Sequence, residues 1–89
     1  MKVQFDIKYR PQIESGEAEV VTRDGRAVRI IYWDGPCYEL PIVGFIEGKE
    51  DPDTFGRDGV YMPGQGEDKE DLFVLLPLPD NIFRQAVDT

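Results

Sequence analysis

Three arginines lie close together in the stretch TRDGRAVRIIYW (22–33), within a chain whose net charge is −8. Arg23 and Arg26 flank Asp24-Gly25, a dipeptide that favours tight turns between antiparallel strands. A guanidinium presents a planar fork of donors that binds carboxylates and phosphates. The chemistry that this stretch predicts is recognition of an acidic group.

The acidic group can come from two sources, and the sequence leaves both open. One interpretation is that the chain neutralises its own arginines, through Asp24 or through the acid-rich residues 47–71. The other is that the arginines meet an acidic partner. In either case two like charges directly opposite each other on a hairpin are mildly destabilising, so a compensating contact is expected.

A two-residue loop at Asp24-Gly25 places Arg23 opposite Arg26 and Val21 opposite Val28. In that register Arg29 shares a face with Val20, Ile31 and Trp33. Arginine among exposed aromatic and apolar residues is typical of interface hot spots. The predicted interaction residues are Arg23, Arg26, Arg29, Tyr32 and Trp33.

Several kinds of catalysis are disfavoured. The chain has no histidine, which removes the usual general base and the commonest transition-metal ligand. Cys37 is the one cysteine and has no partner base nearby in the sequence. The carboxylates cluster in loops, without the apolar pocket that raises the pKa of an acid. We expect a protein that is not an enzyme and uses no cofactor.

The segment DPDTFGRDGVYM (51–62) partly matches a calcium-binding loop. Asp51, Asp53 and Gly56 occupy the first, third and sixth positions of such a loop. Phe55 stands where an acid or amide belongs, and Met62 replaces the bidentate glutamate. We therefore expect no metal site.

Charge and cysteine content favour some partners and compartments over others. Residues 47–71 carry three Lys/Arg against nine Asp/Glu, whereas residues 1–46 carry six against seven. Since nucleic-acid binding rests on neutralising phosphates, a general nucleic-acid binder is disfavoured. A single cysteine fits a reducing cytoplasm, and no apolar run is long enough for a signal peptide or a membrane span.

Short β-rich runs separated by Gly, Pro and Asp dominate the chain. The patterns predict strands at 2–9, on both sides of Asp24-Gly25, at 40–47, at 58–62 on an edge, and at 71–77 in the centre. Residues 11–16 are expected to form a turn or a single helical turn. Asp80 is a candidate N-cap for one or two helical turns at the C-terminus.

These elements predict one small all-β domain spanning residues 1–89. Although six runs have strand character, we expect a bent five-stranded sheet or partly open barrel, SH3-like or OB-like, with a short C-terminal helical turn.

Residues 22–76 resemble a group of small phage, prophage and gut-anaerobe proteins. The shared pattern is a Thr-Arg-Asp-Gly-Arg hairpin (22–26), Asp34, a Pro-Ile-Val strand (41–43), an Asp-Gly turn (58–59) and a closing Asp-Leu (71–72). The resemblance implies a small β domain in a mobile-element setting. It implies no particular activity.

Three functions follow as hypotheses. The first is a protein-interaction module whose partner is a protein that faces the arginines, Tyr32 and Trp33. The second is an acidic decoy that imitates nucleic acid and occupies a basic groove of a host protein. The third is an OB-like nucleic-acid reader that stacks bases on Trp33, Tyr32 and Tyr38. An open sheet also has edges, so a homodimer through the predicted strand 58–62 is a further expectation.

Overall fold

The computed structural model describes residues 1–77, which form a single open sheet of six antiparallel strands in the order β1-β6-β2-β3-β4-β5. Over residues 1–77 the mainly-β prediction is confirmed, with six strands rather than the expected five and without closure into a barrel. No helix in this part of the chain is long and apolar enough to cross a bilayer. The elements are β1 (Lys2–Gln4), a 3-10 helix (Ile7–Tyr9), α1 (Arg10–Glu14), β2 (Glu19–Thr22), β3 (Ala27–Tyr32), β4 (Ile42–Ile46), β5 (Asp53–Phe55) and β6 (Leu72–Leu75).

The first strand is shorter than predicted. It ends at Gln4 because Asp6 caps the following 3-10 helix: its carboxylate accepts a hydrogen bond from the N–H of Lys8 at 2.9 Å. Pro11 lies in the first turn of α1, where its missing N–H costs no helix bond. The helical turn expected at 11–16 is therefore present as α1, while the strand predicted over 2–9 is wrong beyond Gln4.

The hairpin is present, but its register differs by one residue from the prediction. Thr22 N–H donates to Arg26 C=O at 2.8 Å, and Gly25 N–H donates to Thr22 C=O at 2.9 Å. The loop therefore has three residues, 23–25, and Gly25 alone takes a positive φ, of 92°. This is the form of a three-residue hairpin loop with a left-handed glycine. Arg23 does not pair opposite Arg26.

The edge strand also lies elsewhere than predicted. Residues 58–62 are not a strand. Residues 56–59 form a turn, closed by the Gly59 N–H donating to Gly56 C=O at 2.9 Å, and β5 takes the edge instead. The predicted final strand is confirmed as β6, which lies between β1 and β2. The C-terminal helical turn predicted from Asp80 lies outside the described residues.

One face of the sheet, here called the core face, carries the hydrophobic core. Val3, Val74, Val20, Val28 and Ile46 form a row across five strands on this face. Other chain segments pack onto it, and among their contacts the ring of Phe5 stacks on Trp33 with centroids 5.9 Å apart. The buried core cluster comprises Phe5, Ala18, Val20, Val28, Ile42, Ile46, Phe55, Leu72 and Val74.

Candidate functional site

Arg23, at the hairpin tip, is bound to the end of the acidic segment 47–71. Its guanidinium lies 3.2 Å from Oδ2 of Asp71, and its Nε donates to the carbonyl of Asp68 at 3.2 Å. The main chain is joined as well, because Arg23 N–H donates to Asp71 C=O at 2.8 Å. Backbone and side chain together fix the tip against the residues that lead into β6.

Arg26 is paired within the hairpin and beyond it. Its Nε lies 3.0 Å from Oδ1 of Asp24, and a second guanidinium nitrogen lies 3.7 Å from Glu70. Asp24 also accepts a hydrogen bond from the hydroxyl of Thr22. The Thr22 and Arg26 hydrogen bonds hold the pKa of Asp24 below its usual value. Asp24 is therefore a turn residue and a counter-ion at once.

Lys49 extends the same network across the core side of the sheet. Its ammonium lies 2.7 Å from Oδ2 of Asp53 and 3.1 Å from Oε2 of Glu70. Hydrogen bonds to Asp53 and Glu70 raise the pKa of Lys49. Glu70, only 9 % exposed, is thus shared by Lys49 and Arg26.

Asp71 is the most enclosed acid of this group, at 7 % exposed. Its Oδ1 accepts from the N–H of Tyr61 at 2.9 Å, and its Oδ2 accepts from the N–H of Asp68 at 3.0 Å and from Arg23. Burial alone would raise the pKa of Asp71, but the two backbone N–H groups and Arg23 outweigh burial and lower it. We call the set Arg23, Asp24, Arg26, Lys49, Asp53, Glu70 and Asp71 the ion-pair cluster.

The ion-pair cluster gives Arg23 and Arg26 acidic partners within their own chain. Both arginines were predicted interaction residues, and the contacts of both match the interpretation in which the chain neutralises itself. The acids come from the turn and from residues 67–71, within the region that is most acidic in the sequence. The ion-pair cluster has a structural role, because it joins the hairpin tip to the loop before β6.

The opposite face of the sheet has a different character, and we call it the outer face. Its twelve paired positions are given by the strand register. Phe45, Phe73 and Leu75 are half-buried there, and Val21 and Val43 are 9 % exposed without belonging to the core cluster. The outer face consists of Lys2, Gln4, Glu19, Val21, Ala27, Arg29, Tyr32, Val43, Phe45, Thr54, Phe73 and Leu75.

Cations stack on the aromatic rings of the outer face. The guanidinium of Arg29 lies 5.8 Å from the ring centroid of Phe45. Arg23 and Lys2 each lie 4.9 Å from the centroid of Phe73. Glu19 is the one acid among the twelve positions of this face. A chain of net charge −8 therefore presents one sheet face that is apolar and locally basic.

The five predicted interaction residues do not form one surface. A bulge between Ile30 and Tyr32 brings Tyr32, 62 % exposed, to the outer face beside Arg29. Trp33 lies on the other side, stacked on Phe5 and packed against the core. The expectation that Arg29 shares a face with Val20 and Trp33 is wrong. The hairpin register pairs Val20 with Val28 and leaves Arg29 on the outer face, and the bulge places Trp33 on the core side with Val20.

Sequence reasoning missed the aromatic partners of these cations. Phe45 and Phe73 alternate with core residues in β4 and β6, so the signal lay in the apolar runs FI (45–46) and LFVLL (72–76). These runs looked uniformly buried. Only the register shows that Phe73 faces away from Leu72 and Val74.

A second arginine–tyrosine pair lies away from the sheet. The guanidinium of Arg57 is 5.2 Å from the ring centroid of Tyr38, which is 83 % exposed. Cys37, beside it, is also exposed. Within residues 1–77 no three His, Cys, Asp or Glu side chains are grouped so that they could hold a metal ion.

Comparison of the chain with known protein families, curated proteins and solved structures finds no match. The assignment of a role therefore rests on the ion-pair cluster and the outer face alone.

Proposed function

We propose that the protein is a non-enzymatic protein-interaction module that binds its partner through the outer face. The observation that supports this most is the stacking of Arg29 on Phe45 beside the exposed Tyr32. Arginine and tyrosine over a half-buried aromatic surface are the residues that contribute most to protein–protein binding energy.

The charge of the outer face favours a partner with carboxylates around an apolar patch. Lys2 and Arg29 are held over the aromatic rings, and their stems cover apolar area while their charged groups stay accessible. An acidic partner group would replace water around these cations. The rest of the protein is acidic, so long-range attraction would be weak and the apolar contact would supply most of the affinity.

The decoy hypothesis has less to support it. A nucleic-acid mimic needs free carboxylates along a surface, whereas Asp53, Glu70 and Asp71 are engaged by cations of the same chain. The acids of the 47–71 segment that lie in the ion-pair cluster serve the fold. The decoy stays a prediction that rests on the remaining exposed acids.

The nucleic-acid reader is the second candidate, because a sheet face with cations over aromatic rings is also a way to bind single strands. The three aromatic residues predicted to stack bases do not lie on one surface. Trp33 is packed on Phe5, and Tyr38 lies beside Arg57, away from the sheet. An SH3-like or OB-like curvature of the sheet stays a prediction, as do the cytoplasmic location and the mobile-element setting.

The test is a nuclease-treated affinity capture from a lysate of the source cells, quantified by mass spectrometry. The face variant is Arg29→Glu/Tyr32→Ala, and its matched control is Arg57→Glu/Tyr38→Ala, which removes the same two residue types elsewhere. The proposal predicts one protein that wild type and control retain and the face variant loses, and that binds the purified wild type directly.

Two results would oppose the proposal. Loss of the captured protein only in the control variant would move the site to the Tyr38 loop. Binding of fluorescein-labelled single-stranded DNA or RNA that the face variant abolishes, with no protein partner, would favour the nucleic-acid reader instead.

A further inference from the structure

We propose that the sheet has a second binding site, an internal groove between β2 and β3 that takes an extended peptide as an added strand. It does not depend on the outer-face interaction, although Glu19, Ala27 and Arg29 border both surfaces. The groove arises because β2 and β3 pair only at Val20–Val28 and Val21–Ala27, next to the hairpin loop.

β2 begins at Glu19 and does not extend along the opening, where β3 keeps only its pairing with β4. All four residues of β2 pair with β6, and β3 pairs with β4 as far as Tyr32. The chain before β2 cannot follow β3, because Ala18 N–H is bonded to the carbonyl of Gln12 in α1 at 3.0 Å. The residues of β3 beyond Val28 therefore have no strand partner on the β2 side.

The open strand edge carries main-chain groups that point into the groove. Glu47 N–H donates to Ala27 C=O on the β4 side, and Arg26 C=O accepts from Thr22 on the β2 side. The N–H and C=O groups of successive residues point alternately to the two sides of a strand, so the main-chain groups of Ile30 point towards the β2 side. Outside the β3–β4 pairing, no backbone hydrogen bond within residues 1–77 reaches Ile30.

The groove is shaped for apolar side chains. It has a volume of about 490 Å³. Ala18, Val20 and Val28 form a buried apolar floor, and Ile30 and Trp33 are half-buried around it. The four unpaired residues of β3 span roughly 13 Å, the length of a short added strand. An extended peptide would bond to the main chain of Ile30 and place alternate side chains on this floor.

The rim of the groove gives the peptide a preferred charge. Glu14 and Glu19 line it. Glu14 is already paired with Arg10 of α1, whereas within residues 1–77 no cation lies within ion-pair distance of Glu19, so Glu19 sets the charge preference of the rim. Arg29 also lines it, but its guanidinium is held over Phe45 on the outer face. We therefore assign the site an extended peptide with alternating apolar side chains and a basic residue at one end.

The test uses the full chain, labelled with ¹⁵N, and a set of blocked hexapeptides. Each begins with Lys and alternates Val, Ile or Phe with Thr, and each has a matched version N-methylated at the inner amides. The proposal predicts that at least one unmodified peptide slows amide exchange of Ile30 by about tenfold or more, whereas its N-methylated version does not. The outer-face variant Lys2→Glu, which lies on β1 and does not line the groove, is expected to bind the peptide as wild type does, so failure of the outer-face proposal is a distinct result.

A charge exchange tests the rim. Glu19→Arg is expected to weaken binding of the Lys peptide and to strengthen binding of the same peptide with Glu in place of Lys. The control Glu17→Arg, an exposed change outside the groove, is expected to leave this preference unchanged. The proposal is overturned if no peptide binds, or if N-methylated peptides bind equally well. It is also overturned if Ile30 is already as protected as Val28 in the isolated protein, because the groove is then filled by this chain or by a second copy.

Discussion

The guanidinium of Arg23 lies 3.2 Å from the carboxylate of Asp71, forty-eight positions along the chain. This pair joins the hairpin tip to the residue immediately before β6, an internal strand of the sheet. Because Asp71 also accepts hydrogen bonds from two backbone N–H groups, one side chain holds three segments together. The acidic residues at 67–71 therefore help to hold the start of β6 against the hairpin tip.

Replacing Asp71 by alanine is expected to destabilise the fold by about 3 kcal/mol, since it leaves the N–H groups of Tyr61 and Asp68 and the charge of Arg23 without their acceptor. Urea unfolding followed by circular dichroism measures the change. The matched control is Asp51→Ala, an exposed acid for which a change within about 0.5 kcal/mol is expected. Equal effects of the two substitutions would show that Asp71 is not a structural residue.

The pH dependence of stability follows from the lowered pKa of Asp71. A carboxyl group whose pKa is lower in the folded state stabilises the fold above its unfolded pKa, about 3.9, and loses that contribution as pH falls through the folded value. We expect the free energy of unfolding to fall below about pH 4, and Asp71→Asn to reduce this slope. Asp51→Asn should keep the wild-type slope. An Asp71→Asn profile that follows wild type at every pH contradicts the prediction.

Lys49 and Glu70 are expected to be coupled, because the ammonium of Lys49 lies 3.1 Å from Oε2 of Glu70, and hydrogen bonds to Asp53 and to Glu70 raise the pKa of Lys49. A double-mutant cycle with Lys49→Met and Glu70→Gln should show a smaller loss for the double variant than the sum of the single losses. The parallel cycle between Lys69→Met and Glu50→Gln, two exposed residues, should be additive. Additivity in both cycles would show that Lys49 and Glu70 are not coupled.

Two glycines with similar backbone angles should differ in their tolerance of alanine. Gly25 has φ of 92° and open space where a Cβ would lie, so Gly25→Ala should cost about 1 kcal/mol from backbone strain. Gly59 has φ of 82°, and a Cβ there would lie 2.6 Å from Cβ of Phe5. Gly59→Ala should therefore cost several kcal/mol more. Thermal unfolding of both variants compares them, and equal melting temperatures would contradict the packing at Gly59.

The elements of the sheet were more predictable than their alignment. Asp24-Gly25 identified the hairpin, and the apolar run at 72–75 identified the central strand. The predicted register was wrong because it required a positive φ at both Asp24 and Gly25. Only Gly25 has a positive φ, and the loop is one residue longer than predicted. A loop of that form depends on the Thr22 contacts, which no composition pattern reveals.

The site was predictable only in part for the same reason. Arg29 and Tyr32 lie together on an exposed face, but a bulge at Ile31 moved Trp33 to the core side. The sequence indicated that an acid of residues 47–71 would pair with the hairpin arginines. It could not indicate which acid, because the Arg23–Asp71 pair joins distant parts of the chain. Phe45 and Phe73 could not be separated from the core by sequence, since a strand buried on one face and half-covered on the other has no clear alternation.

Photocrosslinking from the outer face tests the central claim most directly. The partner identified by affinity capture would be mixed with protein in which Tyr32 is replaced by benzoylphenylalanine, and in parallel with protein carrying it in place of Tyr38. Both positions are exposed, and each lies near an arginine. The account predicts a crosslink from position 32 and none from position 38. A crosslink from position 38 alone would contradict it and place the binding surface beside Arg57.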